Sequence, residues 1–163
     1  MEGPDLGWLI ERAISWETAA AELYLGLAEL FSSPPEVAEF WELMSRDERL
    51  HARLLATLRD SLPAERLAEP LSRADLESVG SVEQLLETVS AARLDTLDDA
   101  HDIAHDLESS EVNTIFSLVM RSAVDSAARR TLIAAQLDEH VGRLTEFGAT
   151  FDAEMRRSIL PAE

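Results

Sequence analysis

Apolar residues at steps of three and four, repeated over most of the chain, constrain its fold more than any other feature. The first such segment covers residues 4–31 and ends before the helix-breaking stretch "SSPPE", and the second covers residues 35–58. No segment alternates between apolar and polar residues for long, as a half-buried strand would. The abundance of Ala, Leu and Glu also favours helices. The pattern therefore predicts an all-α protein.

Two further long helices are predicted after a connection that contains two prolines and a glycine, "LPAERLAEPLSRADLESVGS". They cover residues 81–108 and 111–147, with a short helix near 72–78 inside the connection. Capping-box spacing marks the expected starts of the second and third helices, at Ser33 with Glu36 and at Ser81 with Gln84. The last segment, "ATFDAEMRRSIL", allows a short fifth helix. Two hairpins joined by one long crossover form a ferritin-like four-helix bundle, here one domain over residues 1–163.

Charge and composition exclude several classes of function. The 32 acidic and 14 basic residues give a formal net charge of −18, which repels nucleic acid and anionic membranes. The absence of cysteine excludes disulfides, thiolate metal sites and cysteine nucleophiles. No apolar run approaches the roughly 20 residues that span a bilayer, and no signal peptide is evident. We therefore expect a cytoplasmic protein without nucleic-acid or membrane partners.

Three ionisable residues lie on apolar helix faces. Glu17 lies in the middle of the first helix's apolar stripe, and Glu48 and His51 lie within that of the second. The turn near residue 34 is equally distant from Glu17 and His51, so all three side chains are expected at one height inside the bundle. Unpartnered buried carboxylates are costly, and two of them repel unless a cation or proton separates them.

A divalent metal ion would solve both problems. Carboxylate and imidazole ligands suit iron, manganese or zinc, and the Glu-x-x-His spacing puts Glu48 and His51 on one helix face. Glu17, Glu48 and His51 are therefore the candidate metal ligands.

Glu17 followed by Tyr24, and then "DERLH" ending at His51, resembles the first hairpin of rubrerythrins and related ferritin-like proteins. In that family each hairpin supplies one Glu and then a Glu-x-x-His, and two hairpins hold a di-iron or similar dimetal site. The resemblance implies a non-haem iron oxidoreductase that handles oxygen, peroxide or iron. It also implies an external electron donor, because the four-cysteine iron domain that donates electrons in rubrerythrins has no counterpart in a chain without cysteine.

The second hairpin departs from this pattern. Aligning "FWELM" at 40–44 with "FSLVM" at 116–120 puts Val124 opposite Glu48 and Ala127 opposite His51, with Arg93 or Leu94 opposite Glu17. Three alternatives to a complete dimetal site follow: a partial site with one ion, a site completed by a second copy of the chain, or no metal at all. In the last case Arg93 pairs with the carboxylates, and the chain is a degenerate scaffold that acts by protein interaction.

A second group of ionisable residues lies in "DDAHDIAHD". Asp98, His101, Asp102 and His105 share one helix face, and His pairs at this spacing bind transition metals. A solvated acidic face is the simpler interpretation, with His101, the most inward, as a weaker candidate ligand. We also expect a homodimer, packed through Trp8 or Trp16.

Overall fold

The computed structural model describes residues 3–91, 94–109, 116, 119, 142–147 and 151. Its helices are α1 (Leu6–Leu30), α2 (Pro35–Ser61), α3 (Ala64–Leu67), α4 (Arg73–Ala91) and α5 (Leu97–Ser109), and residues 142–147 are also helical. Within the described part of the chain there is no strand, and Asp5 forms an isolated bridge with Pro70. The predicted all-α class is confirmed.

The α1–α2 hairpin has the predicted position but different caps. Asp5 begins α1, because its Oδ1 accepts a hydrogen bond from the Trp8 backbone N–H at 2.8 Å. The predicted Ser33–Glu36 capping box is wrong: Pro34 is the N-cap of α2, without a side-chain cap. A residue that precedes proline is driven to extended backbone, so the helix cannot begin before Pro35.

The predicted third helix over residues 81–108 is also wrong, since two helices occupy this region. Ser72 and Asp75 form a reciprocal capping box that starts α4 well before Ser81. Ser81 is not a cap, because its Oγ donates to the Glu77 carbonyl one turn back inside α4. The chain leaves α4 at Ala91, and a second capping box starts α5.

Thr96 and Asp99 form this second box. Asp99 Oδ2 accepts hydrogen bonds from the Thr96 backbone N–H at 2.7 Å and from its hydroxyl at 2.8 Å. The Asp99 backbone N–H donates to Thr96 Oγ1 at 3.1 Å. These bonds lower the pKa of Asp99, because they stabilise its charged form.

Buried apolar residues form two clusters along the helices. The first apolar cluster contains Leu6, Leu9, Ile10, Ala13, Trp16, Leu55, Leu58, Val79, Val82, Phe116 and Val119. The second apolar cluster contains Ala20, Tyr24, Leu27, Ala28, Phe31, Val37, Trp41, Met44, Leu97, Ala100, Ala104, Leu144, Phe147 and Phe151. Because α1 and α2 are antiparallel, each contributes to both clusters.

The position of α4 identifies it as part of the crossover. α4 contributes Val79 and Val82 to the first apolar cluster, and α5 begins in the second with Leu97. Phe116, further along the chain, lies in the first cluster again. The chain therefore runs the length of the bundle along α4 before α5 opens the third bundle helix, as in ferritin-like topology. A backbone hydrogen bond joins the start of the crossover to the N-terminal segment. The Leu71 N–H donates to the Pro4 carbonyl at 3.1 Å.

Part of the predicted fourth helix, 111–147, lies outside the described residues, as do Arg93, Val124, Ala127 and the C-terminal segment predicted as a fifth helix. Where it is described, at residues 116, 119 and 142–147, this region is helical. Phe116 and Val119 belong to the first apolar cluster, and Leu144 and Phe147 belong to the second. None of the described helices has the length and apolarity needed to cross a membrane.

We expect Thr96→Ala to lower the free energy of unfolding by about 1 kcal/mol, because it removes the N-cap of α5. Urea denaturation followed by circular dichroism would measure this change. Ser81→Ala is the matched control and should change the free energy by less than about 0.5 kcal/mol, since Ser81 is exposed within α4. A larger loss for Ser81→Ala than for Thr96→Ala would contradict the two-helix arrangement.

Candidate metal centre

Glu17, Glu48 and His51 meet inside the bundle, as their heights along the hairpin predict. His51 Nδ1 lies 3.1 Å from Glu48 Oε2 and 3.3 Å from Glu17 Oε2. One ligand atom from each residue lies within 4.8 Å of the other two. The exposed fractions are 1% for Glu17 and 4% for both Glu48 and His51. We call this group the Glu17–Glu48–His51 cluster.

The helices place the three side chains without distortion. Glu48 and His51 are three residues apart on α2 and so share one face, while Glu17 approaches from α1. Ser45, one turn before Glu48, donates its hydroxyl to the Ala21 carbonyl of α1 at 2.8 Å. This buried interhelical hydrogen bond fixes the approach of α1 to α2 next to the cluster.

The cluster forms a polar layer between the two apolar clusters. Met44, one turn before Glu48, belongs to the second apolar cluster, and Leu55, one turn after His51, belongs to the first. The Phe116 ring also covers the imidazole, with ring centroids 4.9 Å apart. Water is therefore excluded on both sides, which strengthens every charge interaction in the layer.

One oxygen in this layer is incompletely satisfied. Glu17 Oε2 is buried, and no described donor meets hydrogen-bond geometry with it, although His51 Nδ1 is 3.3 Å away. A buried carboxylate oxygen without an aligned donor is unusual in a folded protein. Either a proton shared with Glu48 or a cation between Glu17 and the α2 pair would satisfy this oxygen.

Burial and mutual proximity shift the pKa values of the cluster. Burial raises the pKa of Glu17 well above its ordinary value, and the nearby Glu48 raises it further, whereas His51 opposes the shift. For His51, burial lowers the pKa, but the Glu17 and Glu48 carboxylates outweigh it and raise the pKa to about 10. Without a metal ion His51 therefore keeps its second proton at neutral pH, and the imidazole is cationic.

A third buried carboxylate, Glu108 on α5, was not predicted. The Tyr24 hydroxyl donates to Glu108 Oε1 at 2.7 Å, and both residues are buried. Burial, followed by the charges of Glu108 and Glu48, raises the pKa of Tyr24 well above its ordinary value. Tyr24 is therefore a neutral phenol that borders the cluster. The sequence held a signal for Glu108, since it lies on the apolar stripe of α5 with Ala104 and Leu107.

Glu108 also occupies the position in α5 that Glu17 occupies in α1. Each is eleven residues after the first residue of its helix, Leu97 and Leu6 respectively. The alignment of residues 40–44 with residues 116–120 assigned this position to Arg93 or Leu94, which both come before the first residue of α5, Leu97. Leu94 precedes α5 and packs against the second apolar cluster, and Arg93 lies outside the described residues.

His101 is not brought into the Glu17–Glu48–His51 cluster. Its ring stacks on Phe147 with centroids 5.3 Å apart, and its Nε2 lies 3.1 Å from the Leu144 carbonyl oxygen. It therefore attaches α5 to residues 142–147. His105 and Asp102 are exposed and Asp98 is half-buried, and the described residues contain no second group with metal-ligand geometry.

The metal-free protein should lose stability as the pH rises from 6.5 to 10. Because the pKa of His51 is about 10 in the fold and 6.5 ordinarily, its contribution is complete below pH 6.5 and disappears as the pH approaches 10. The raised pKa of Glu17 acts in the same direction. One proton corresponds to a slope of up to about 1.4 kcal/mol per pH unit. Urea denaturation in the presence of a chelator would measure the slope.

Glu17→Gln should flatten this pH dependence, because it removes one of the carboxylates that hold the extra protons. Glu22→Gln, which changes an exposed carboxylate on the same helix, should keep the wild-type slope. Equal slopes in the Glu17 variant and the wild type would contradict the assignment.

Comparison with known proteins agrees with this geometry. The family model described as Rubrerythrin matches residues 9–144, a range that includes the cluster, the crossover and Glu108. No curated protein and no solved structure matches the chain. The match extends over well more than half of the sequence, and the chain belongs to the rubrerythrin family.

Proposed function

We propose that the chain binds one redox-active metal ion through Glu17, Glu48 and His51, and that this ion is iron. The observation that carries the proposal is the buried Glu17 oxygen without an aligned donor, 3.3 Å from the His51 nitrogen. Two carboxylates and one imidazole suit iron, manganese or zinc. A cation between the carboxylates would also remove their repulsion.

The proposed activity is the handling of peroxide, oxygen or iron by a non-haem oxidoreductase. A bound ferrous ion would supply an electron and an open coordination position. Glu48 and His51 would hold it from α2 and Glu17 from α1. The apolar clusters above and below would exclude water. Since the sequence has no cysteine, the proposal includes an external electron donor. A cytoplasmic location stays a prediction.

A second candidate is a metal-free scaffold, and one observation favours it. The pKa of His51 at about 10 means that an imidazolium can stand between the carboxylates in place of a metal. Such a scaffold would act by association. Of the two tryptophans predicted for a homodimer, Trp16 is buried in the first apolar cluster, while Trp8 is 37% exposed. Trp8 is therefore the remaining candidate for an interface.

Metal content would separate the two candidates. We expect about one iron per chain after anaerobic reconstitution of untagged protein with ferrous iron, measured by elemental mass spectrometry. Glu17→Gln and His51→Gln should each weaken binding by more than about 100-fold, because even changes outside the ligand set cost 10–100-fold. Binding should also weaken as the pH falls, since His51 must lose its proton.

His105→Gln provides the matched control, because His105 is an exposed imidazole on α5, and it should retain the metal. Saturating metal should also raise the free energy of unfolding, by about 2.7 kcal/mol at 100 times the Kd. No bound metal in the wild type, or equal binding in all variants, would favour the scaffold instead.

A further inference from the structure

Ser45 forms a hydrogen bond that distinguishes it from other hydroxyl residues inside the helices. Its side chain is buried, and its hydroxyl crosses to α1, where it donates to the Ala21 carbonyl at 2.8 Å. Helical serines and threonines otherwise tend to bond the carbonyl four residues earlier in their own helix. Four exposed residues of the described helices do so: Thr18, Thr57, Ser81 and Thr88. Ser45 therefore connects two helices, whereas these four hydroxyls bond within one helix.

The Ser45–Ala21 hydrogen bond lies next to the Glu17–Glu48–His51 cluster on both helices. Ala21 is one turn after Glu17 on α1, and Ser45 is one turn before Glu48 on α2. Ser45 and Ala21 are both buried, and small side chains at a contact allow two helix axes to approach closely. The bond therefore fixes the separation of α1 and α2 within one turn of the candidate ligands.

The candidate ligands are divided between these two helices. Glu17 lies on α1, and Glu48 and His51 lie on α2. An ion in the layer would bond to both helices at once, so the helix separation limits the ion–ligand distances that the site can accept. This limit applies to any ion that Glu17 shares with the α2 pair, whatever the number of ions.

Iron and zinc, which both suit these ligands, respond differently to such a limit. Where a site is free to adjust, affinity follows the Irving–Williams order, and zinc binds more tightly than ferrous iron. Zinc takes a compact tetrahedral set of ligands, whereas non-haem ferrous iron takes a larger set with open positions. Helices that cannot move closer together therefore cost zinc more than iron.

We propose that Ser45 is a positioning residue that makes the site selective for iron over zinc. It acts through the Ala21 carbonyl, by holding α1 and α2 at a fixed separation beside Glu17 and Glu48. This inference rests on the proposed function and deepens it, because it names the residue that selects the ion.

The test is anaerobic titration calorimetry of the untagged full chain with ferrous iron and, separately, with zinc. Ser45→Ala should weaken ferrous iron binding by about 10-fold, the lower end of the loss found for residues that support metal ligands. It should leave zinc binding unchanged or make it tighter, since the helices can then adjust to the more compact set of ligands. The ratio of the two dissociation constants should therefore shift towards zinc by about 10-fold or more.

A merely structural role of Ser45 predicts a different result. Destabilisation of the bundle would weaken the binding of both ions by the same factor, because both need the folded site. An equal loss for the two ions, or no loss for either, would overturn the proposal. Thr57→Ala, which removes an exposed hydroxyl from the same helix, is the matched control and should keep the wild-type ratio.

Ser45→Thr provides a second variant, because it keeps the hydroxyl. Circular dichroism would first establish that this variant and Ser45→Ala are folded. Folded Ser45→Thr should retain the wild-type ratio of dissociation constants. If it shows the ratio of Ser45→Ala instead, the role of the hydroxyl is overturned.

Metal binding by the wild type separates this proposal from the proposed function. A wild type that binds neither ferrous iron nor zinc would overturn both. Ferrous iron binding that Glu17→Gln abolishes, together with an unchanged ratio in Ser45→Ala, would overturn only the role of Ser45.

Discussion

The burial of two carboxylates and one imidazole in a single layer is the constraint on which the rest of the structure depends. Unpaired, each of these charges would cost several kcal/mol in an apolar interior, yet Glu17, Glu48 and His51 are at most 4% exposed. The layer is tolerated because each charge faces an opposite one within 3.3 Å. It also divides the apolar core, so the first and second apolar clusters pack as separate blocks on either side.

Much of the fold could be predicted from the sequence, because hairpin geometry is local. The spacing of apolar residues located α1 and α2, and the turn near residue 34 placed Glu17 level with His51. The third helix could not be located in this way. Ser81–Gln84 and Thr96–Asp99 both have capping-box spacing, but only the second forms the reciprocal hydrogen bonds. The spacing of residues in the sequence shows where a capping box can form, but the packing of the helices determines where it does form.

The incorrect position of the third helix also explains why Glu108 was not predicted as a buried residue. An internal alignment on apolar residues alone shifted the second half of the chain, because Phe, Leu and Met recur on every core face. The first residues of α1 and α5, Leu6 and Leu97, give an alignment that matches Glu17 with Glu108. Two buried carboxylates at equivalent positions are a stronger sign of an internal repeat than shared apolar residues, since burial of a carboxylate is costly at each position.

Protons and the proposed metal ion would compete for the Glu17–Glu48–His51 cluster. A metal ion can bind only if His51 gives up the proton that its two carboxylate neighbours hold, because coordination needs the neutral imidazole. The same carboxylates that raise the pKa of His51 to about 10 also attract the cation. The proton neutralises one charge, whereas a divalent ion neutralises two and can satisfy the Glu17 oxygen that lacks an aligned donor. That oxygen is the ground on which the proposed function prefers a metalloprotein to a scaffold.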